Sequence, residues 1–465
     1  MNKKKLLIFL AAVVAVALVA VAVIVIAALT NTPGPGGPGD TPSPKDNSEL
    51  AARFGEFSSV SVTIGEDPKT TANVTWQSLE TGRSGYVKFY EKNAGSAGAV
   101  KATADAFDNV FEVPVSGQFE LKVPQLESVK GQIHRCYLTG LKPDTEYVFT
   151  VGYEGGAESA EMSFTTASSS ESFSFILVAD TQGFTKRNFD VWETLAKLAA
   201  EKCPDADFVI HMGDAVEEGK NHNQWQLFFN ASSALFNGRP VIDVAGNRDK
   251  KHTLLRYTNG SRENRTALVS GYYSFDWGNV HFAVLNTGDG EKDIPKSQMK
   301  WLEADLEAST AKTKVILMHK APYTNANHFN DPEIVAMRAQ ILPVAEKYGV
   351  AAVISGHDHY YFRSKPVTGE GLEAACERTE ITYSGTKIEM LRSPGTVYFV
   401  NGSAGVKQHD NPISTASDII GDVSMLTKGP SFSYVTVDNE KMVVLTYVNE
   451  SGSLRVLDAF GIYFD

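Results

Sequence analysis

Val350-Ala-Ala-Val-Ile-Ser355 runs directly into Gly356-His357-Asp358-His359. The first six residues are apolar or small, include β-branched members and are too few for a helix, so they predict a buried strand. The histidines fall where that strand exits into a loop. Side chains alternate faces along a strand, but a loop can aim both imidazoles at one point. Neutral imidazole is a common metal ligand, so the pair is a candidate metal site. Taken alone it describes a surface loop equally well.

Four upstream junctions repeat the pattern. Phe173-Ser-Phe-Ile-Leu-Val-Ala179 leads into Asp180-Thr181-Gln182-Gly183, and Asp207-Phe-Val-Ile-His-Met212 into Gly213-Asp214. Val241-Ile-Asp-Val-Ala245 leads into Gly246-Asn247-Arg248-Asp249, and Thr313-Lys-Val-Ile-Leu-Met318 into His319. Each apolar run delivers an Asp, Asn or His at its carboxyl end. Sites in open α/β sheets lie outside those ends, so five junctions can converge on one patch. Gly183, Gly213, Gly246 and Gly356 suit tight turns and close backbone approach there.

The ordered set Asp, Gly-Asp, Gly-Asn-x-Asp, His, Gly-His-x-His resembles the calcineurin-like metallophosphoesterases, and within them the purple acid phosphatase branch. Gly271-Tyr-Tyr-Ser-Phe-Asp-Trp-Gly-Asn-Val-His-Phe282 and Trp301-Leu-Glu-Ala-Asp-Leu306 support it, as does Met318-His-Lys-Ala-Pro-Tyr323. The resemblance covers residues 170–465 and implies a four-layer α/β/β/α domain holding two divalent or trivalent metal ions, of iron, manganese or zinc. It makes Asp214 the bridge, gives Asp180 and His359 to the first metal, and gives Asn247, His319 and His357 to the second. Phosphate-ester hydrolysis needs neutralised oxygens and a nucleophile stronger than water, which a metal pair supplies.

Three positions depart from the family pattern. Gln182 stands where phosphodiesterase relatives have a His ligand and purple phosphatases have Gly; its amide oxygen is a further candidate metal ligand, and ligation stays open. Glu217 stands where the purple branch has a tyrosine. Arg248 replaces the His of Gly-Asn-His; it can grip phosphate but cannot release a proton near neutral pH. Arg248 and Asp249 are the candidate catalytic side chains of this turn. His134, His211, His252 and His281 lack partner motifs and are expected to be structural or exposed, whereas His328 and His409 are loop residues that could rim a pocket.

The remaining chain sets the context. It has 465 residues, is 43% hydrophobic and carries a net charge of −12. That length suits two or three domains, and the acidic balance argues against nucleic acid as a structural partner. Met1-Asn-Lys-Lys-Lys5 precedes an uncharged run from Leu6 to Leu29. A spanning helix needs about 20 residues, so residues 1–30 are expected to be a transmembrane anchor with the body outside, or else a cleaved signal of a secreted protein. Residues 31–52 form a Pro/Gly-rich linker. Residues 53–167 show short alternating strands, a β-sandwich pattern. Leu141-Lys-Pro143-Asp-Thr145-Glu-Tyr147 resembles the tyrosine corner of fibronectin type III domains, which commonly precede the catalytic domain in purple acid phosphatases, and a spacer role is expected. Residues 368–393 look like a surface insertion. Cys136, Cys203 and Cys376 lack metal-type spacing and are expected to be free thiols.

The resulting expectation is an outward-facing binuclear metallophosphoesterase acting on phosphate monoesters or diesters. The alternative is a metal-containing surface binding protein with weak chemistry. Oligomeric state has no signal in the sequence.

Overall fold

The structure, a computed structural model, describes residues 50, 53–263, 266–288, 292–408, 420–425 and 429–464. The expected anchor, nearly all of the linker and His409 lie outside these residues. Among the described residues no helix is long and apolar enough to cross a membrane.

Alternating apolar residues fold the N-terminal part into two four-stranded antiparallel sheets. One orders Ser58–Ile64, Thr71–Ser78, Leu126–Thr139 and Asp105–Pro114; the other orders Val100–Thr103, Gly85–Glu91, Glu146–Tyr153 and Met162–Thr165. Their inner faces bury Val74, Trp76, Val87, Phe149 and Val151 together. Tyr147 accepts a hydrogen bond from the Lys142 backbone N–H at 2.9 Å, closing the tyrosine corner.

The C-terminal part stacks two larger sheets. The first has eight strands, with Val241–Asp243, Phe208–His211 and Phe173–Val178 parallel at one side. The second has seven and includes Val280–Leu285, Thr313–Met318, Val350–Ser355 and Val397–Asn401 in parallel array. These strands are buried on both faces, which is why they read as continuous apolar runs. Phe175 and Leu177 face Val315, Leu317 and Ile354 across the inter-sheet core. Ile176 and Val178 pack instead with Trp192 and Leu195 of helix Lys186–Lys202 and Phe228 of helix His222–Phe236. On the opposite side Ile316, Met318 and Val353 pack against helices Lys296–Ala308 and Pro332–Lys347. The layers are therefore α/β/β/α.

Strands Ser431–Val437 and Lys441–Glu450 complete the first sheet, because Ser431–Val437 pairs antiparallel with Phe173–Val178. One detail differs from the sequence reading. The segment read as a surface insertion contains a hairpin, Glu377–Tyr383 and Thr386–Arg392, that extends the first sheet and buries Ile388, Met390 and Leu391. Its exposed charged strand hid that pattern. All three cysteines are free.

Candidate metal centre

Five strands end at the site, and the backbone turns sharply as each polar residue leaves its strand. Asp180, Asp214, His357 and His359 take φ of 56°, 55°, 76° and 51°. This left-handed region is sparsely used by residues other than glycine and is costly unless the surroundings enforce it. It lets His357 and His359 approach one centre although they are only two residues apart. The glycines make room: a Cβ on Gly213 would come within 2.7 Å of His319 Nδ1, and one on Gly246 would overlap Asp214.

The candidate ligands fall into two groups. Asp214, His319 and His357 offer ligand atoms all within 4.8 Å of one another; so do Asp180, Asp214 and His359. Asp214 belongs to both. His319 Nε2 stands 3.1 Å from Asn247 Oδ1 and 3.4 Å from Asp214 Oδ1, so Asn247 joins the first-named group. His319 Nδ1–H donates to the Met212 carbonyl at 2.7 Å, which fixes the ring and leaves Nε2 as the ligand atom for a cation. His359 Nε2 lies 3.6 Å from Asp180 Oδ1. With the Gln182 amide in the orientation that satisfies both of its ends, its nitrogen donates to the backbone carbonyls of Asp180 and Asp214, both at 3.1 Å, and its oxygen faces His359 Nε2 at 3.2 Å. Gln182 thus turns an oxygen toward the Asp180 group.

These residues fit a pair of cations. Lone-pair atoms converge, and the electrostatics call for positive charge. Burial works against charge on His319, yet Asp214 and Asp180 hold its pKa up to about 9, so with no cation beside these carboxylates Nε2 carries the proton that a bound metal would displace. Burial likewise disfavours the Asp214 carboxylate, but neighbouring His319 keeps its pKa below the usual carboxylate range. His357, buried and beside His319, is driven well below 6.5 and stays neutral, as a ligand must.

A further ring of contacts orients the ligands. The His357 backbone N–H donates to Asp180 at 2.9 Å, and the Arg248 N–H to Asp214 Oδ1 at 2.7 Å. Asp249 is buried and accepts from the Ala215 and Val216 N–H groups, each at 3.0 Å. It is a positioning residue for the turn after Asp214. His211 accepts from the Gly213 N–H and faces Thr181 Oγ1 at 3.0 Å, so this structural histidine braces both carboxylate turns. His281 is clasped between Asp276 and Asp305, far along the chain from any ligand.

Arg248 reaches outward, with Nη1 3.6 Å from Glu217 Oε1. Glu217 also pairs with Lys407 and belongs to neither ligand group. The His328 ring lies 4.5 Å, centroid to centroid, from the His357 ring and tilted 38° to it, with Nδ1 bonded to Asp331 Oδ2 at 2.6 Å. It rims the centre. The three-residue spacing from His328 to Asp331 is the sequence signal for that dyad.

Comparison with known proteins defines the class. Residues 173–361 match the calcineurin-like phosphoesterase family, and residues 57–166 match the purple acid phosphatase N-terminal domain. The chain carries a calcineurin-like phosphoesterase domain preceded by a purple acid phosphatase N-terminal domain. Among relatives it is similar to purple acid phosphatase 22 of Arabidopsis thaliana, 29% identical over 51% of this chain and 55% of that one. Purple acid phosphatase 18 of the same plant is 26% identical over 54% and 57%. The chain therefore spans about half the length of these relatives. A purple acid phosphatase from yellow lupin (Lupinus luteus) seeds shares the fold, with a TM-score of 0.70, 18% identity and coverage of 88% of this chain and 74% of that one.

Proposed function

We propose that this chain hydrolyses phosphate esters at a binuclear metal centre, outside the cytoplasm. The observation that carries the reading is the sharing of Asp214 between two ligand groups. Carboxylates, imidazoles and amide oxygens suit iron, manganese or zinc. Two cations, when bound, neutralise phosphate oxygens and supply a nucleophile at neutral pH.

The chain's own side chains then orient substrate and move protons. Arg248 presents a planar fork to phosphate oxygens. His328, oriented by Asp331, holds a proton that a departing alkoxide can take, a role that Arg248 cannot fill. Both monoesters and diesters remain within the proposed substrate range. Residues 1–30 anchor the chain in this reading, with Lys3 to Lys5 cytoplasmic, and intact-mass measurement distinguishes an anchor from a cleaved signal.

The test is metal content beside turnover of p-nitrophenyl phosphate and bis(p-nitrophenyl) phosphate. Bound metal with turnover supports the enzyme. Bound metal with none across a broad ester panel supports a metal-containing surface binding protein instead.

A further inference from the structure

Strand Ser58–Ile64 of the N-terminal sandwich slips register with Thr71–Ser78 near its start. Ser58 pairs with Gln77 and Ser61 with Thr75, so three steps on one strand match two on the other. The extra residue makes a bulge, and a bulge bends its strand and re-aims side chains. Ser59 sits in it with φ of 51°, in the left-handed region that favours glycine. Such conformations are costly and concentrate where ligands are held. The bulge forms part of one wall of a cleft of about 370 Å³ between the sandwich and helix His222–Phe236. The apolar surface comes from Phe57, Val62 and Phe149 on the sandwich side and from Phe229 and Phe236 on the helix.

Ser59 and Gln226 also line the cleft, and each carries an unused polar atom. Ser59 is 2% exposed, and its Oγ is buried with no hydrogen-bond partner. Gln226 donates from Nε2 to Asn230 Oδ1 at 3.1 Å, which leaves its Oε1 buried and unpaired. Leaving such atoms unmet is costly. Among the described residues that line the cleft, Glu161 is the one ionisable side chain, and it already accepts from the Tyr90 hydroxyl at 2.9 Å. An anion therefore finds no cation in these walls. Water could meet the polar atoms but would leave the aromatic walls wet, whereas clefts of this size at domain junctions suit small molecules. We propose that this cleft binds a small uncharged molecule with a ring-sized apolar body and a hydroxyl group. The body covers the aromatic walls. The hydroxyl both donates and accepts, so it can answer either unpaired atom, and only its hydrogen suits the Gln226 oxygen. None of the candidate metal ligands lines the cleft, so the inference stands apart from the proposed hydrolysis.

2-Naphthol and 2-methoxynaphthalene share one apolar body, and only the first has a hydrogen to donate; 2-naphthoate puts a negative charge in the same place. Binding of all three to the full chain is measured by equilibrium dialysis, beside Gln226→Leu and Ser233→Trp. The first variant removes the acceptor at similar volume. The second sets an indole in the cleft from an exposed helix position, so the fold is not at stake. The wild type should bind 2-naphthol about tenfold tighter than the more apolar methyl ether, the scale of pairing one otherwise unmet buried atom. It should bind the naphthoate more weakly than either. Gln226→Leu should erase the preference for the naphthol and still bind the ether, and Ser233→Trp should abolish binding of both. Absence of binding to the wild type means that the cleft holds water only and overturns the proposal. So does equal affinity for naphthol and ether, a preference that Gln226→Leu leaves intact, or binding that Ser233→Trp leaves unchanged.

Discussion

At the scale of single residues, the site depends on close approaches that leave no slack. Gly246 admits no side chain, because a Cβ there overlaps the Asp214 backbone and carboxylate. Gly246→Ala should displace Asp214, lower the metal content and reduce kcat/KM by about 100-fold, the scale of a 1 Å misplacement; normal metal content and turnover would show that the turn can relax. Glu217 makes a separate prediction. Colour in the purple branch comes from tyrosinate on ferric iron, and here the corresponding residue is a carboxylate committed to Arg248 and Lys407. The iron-loaded protein should lack that visible band, and a strong band persisting in Glu217→Gln would refute the alignment of this motif. His328 supplies what Arg248 cannot, a side chain able to give up a proton near neutral pH. If the His328–Asp331 dyad beside His357 protonates the leaving group as proposed, alkyl esters should be turned over, and His328→Asn should depress their kcat/KM more than that of aryl phosphates. Equal loss on both classes would place His328 elsewhere than on the leaving-group side. The candidate ligands that the structure brings together could be picked out in the sequence, because each follows an apolar run and a glycine or polar turn. The Glu217 triad was not: its members stand at 217, 248 and 407, and only the fold brings them together.

At the scale of elements, the buried strands could be read from continuous β-branched runs, and Thr313–Met318 and Val350–Ser355 have the expected bounds. Helix Lys186–Lys202 has Val191, Leu195 and Leu198 at helical spacing, but its buried face centres on Phe189, Trp192, Leu195 and Ala199. Aromatic residues set that face, and a three-residue apolar series could not choose it. Hairpin Tyr273–Trp277 and Val280–Leu285 is pinned to helix Lys296–Ala308 through His281, whose Nε2 lies 2.8 Å from Asp305 and Nδ1 2.6 Å from Asp276. Burial opposes charge on His281, but the two carboxylates raise its pKa to about 9. A folded pKa above the ordinary 6.5 stabilises most at pH below 6.5, and that contribution is lost as pH rises through about 9. Asp276 is largely exposed, which trims the effect to roughly 2 kcal/mol. Urea unfolding at pH 6 and pH 10 should show the loss in the wild type and not in His281→Gln; equal pH dependence in both would remove this clasp from the account.

At the scale of the whole molecule, the expected spacer is joined to the site by a buried polar seam. Ser61 Oγ donates to the Arg256 carbonyl at 2.6 Å, and Gln77 Nε2 to the Leu255 carbonyl at 2.7 Å. Asn73 Nδ2 donates to the carbonyls of Ile64, Thr258 and Gly260 at 3.0, 3.0 and 2.8 Å. The segment so held begins a few residues after Asn247. Asn73→Leu should cost about 2 kcal/mol, the penalty of leaving buried carbonyls unpaired, and should lower Tm accordingly; an unchanged Tm would mean that the seam is dispensable. Outward-facing Ser, Thr, Asn and Gln on a sandwich strand look solvent-facing in sequence, so nothing there announced an interface. The two-domain order was legible all the same, because strand spacing changes where the first sandwich ends. The central claim is that one aspartate joins two cation sites, and the most direct measurement is the metal content of the purified full chain and of Asp214→Ala, read beside p-nitrophenyl phosphate turnover. The account predicts about two metal ions in the wild type, and loss at both positions with no turnover in the variant. Two metals retained in Asp214→Ala with normal turnover would contradict it.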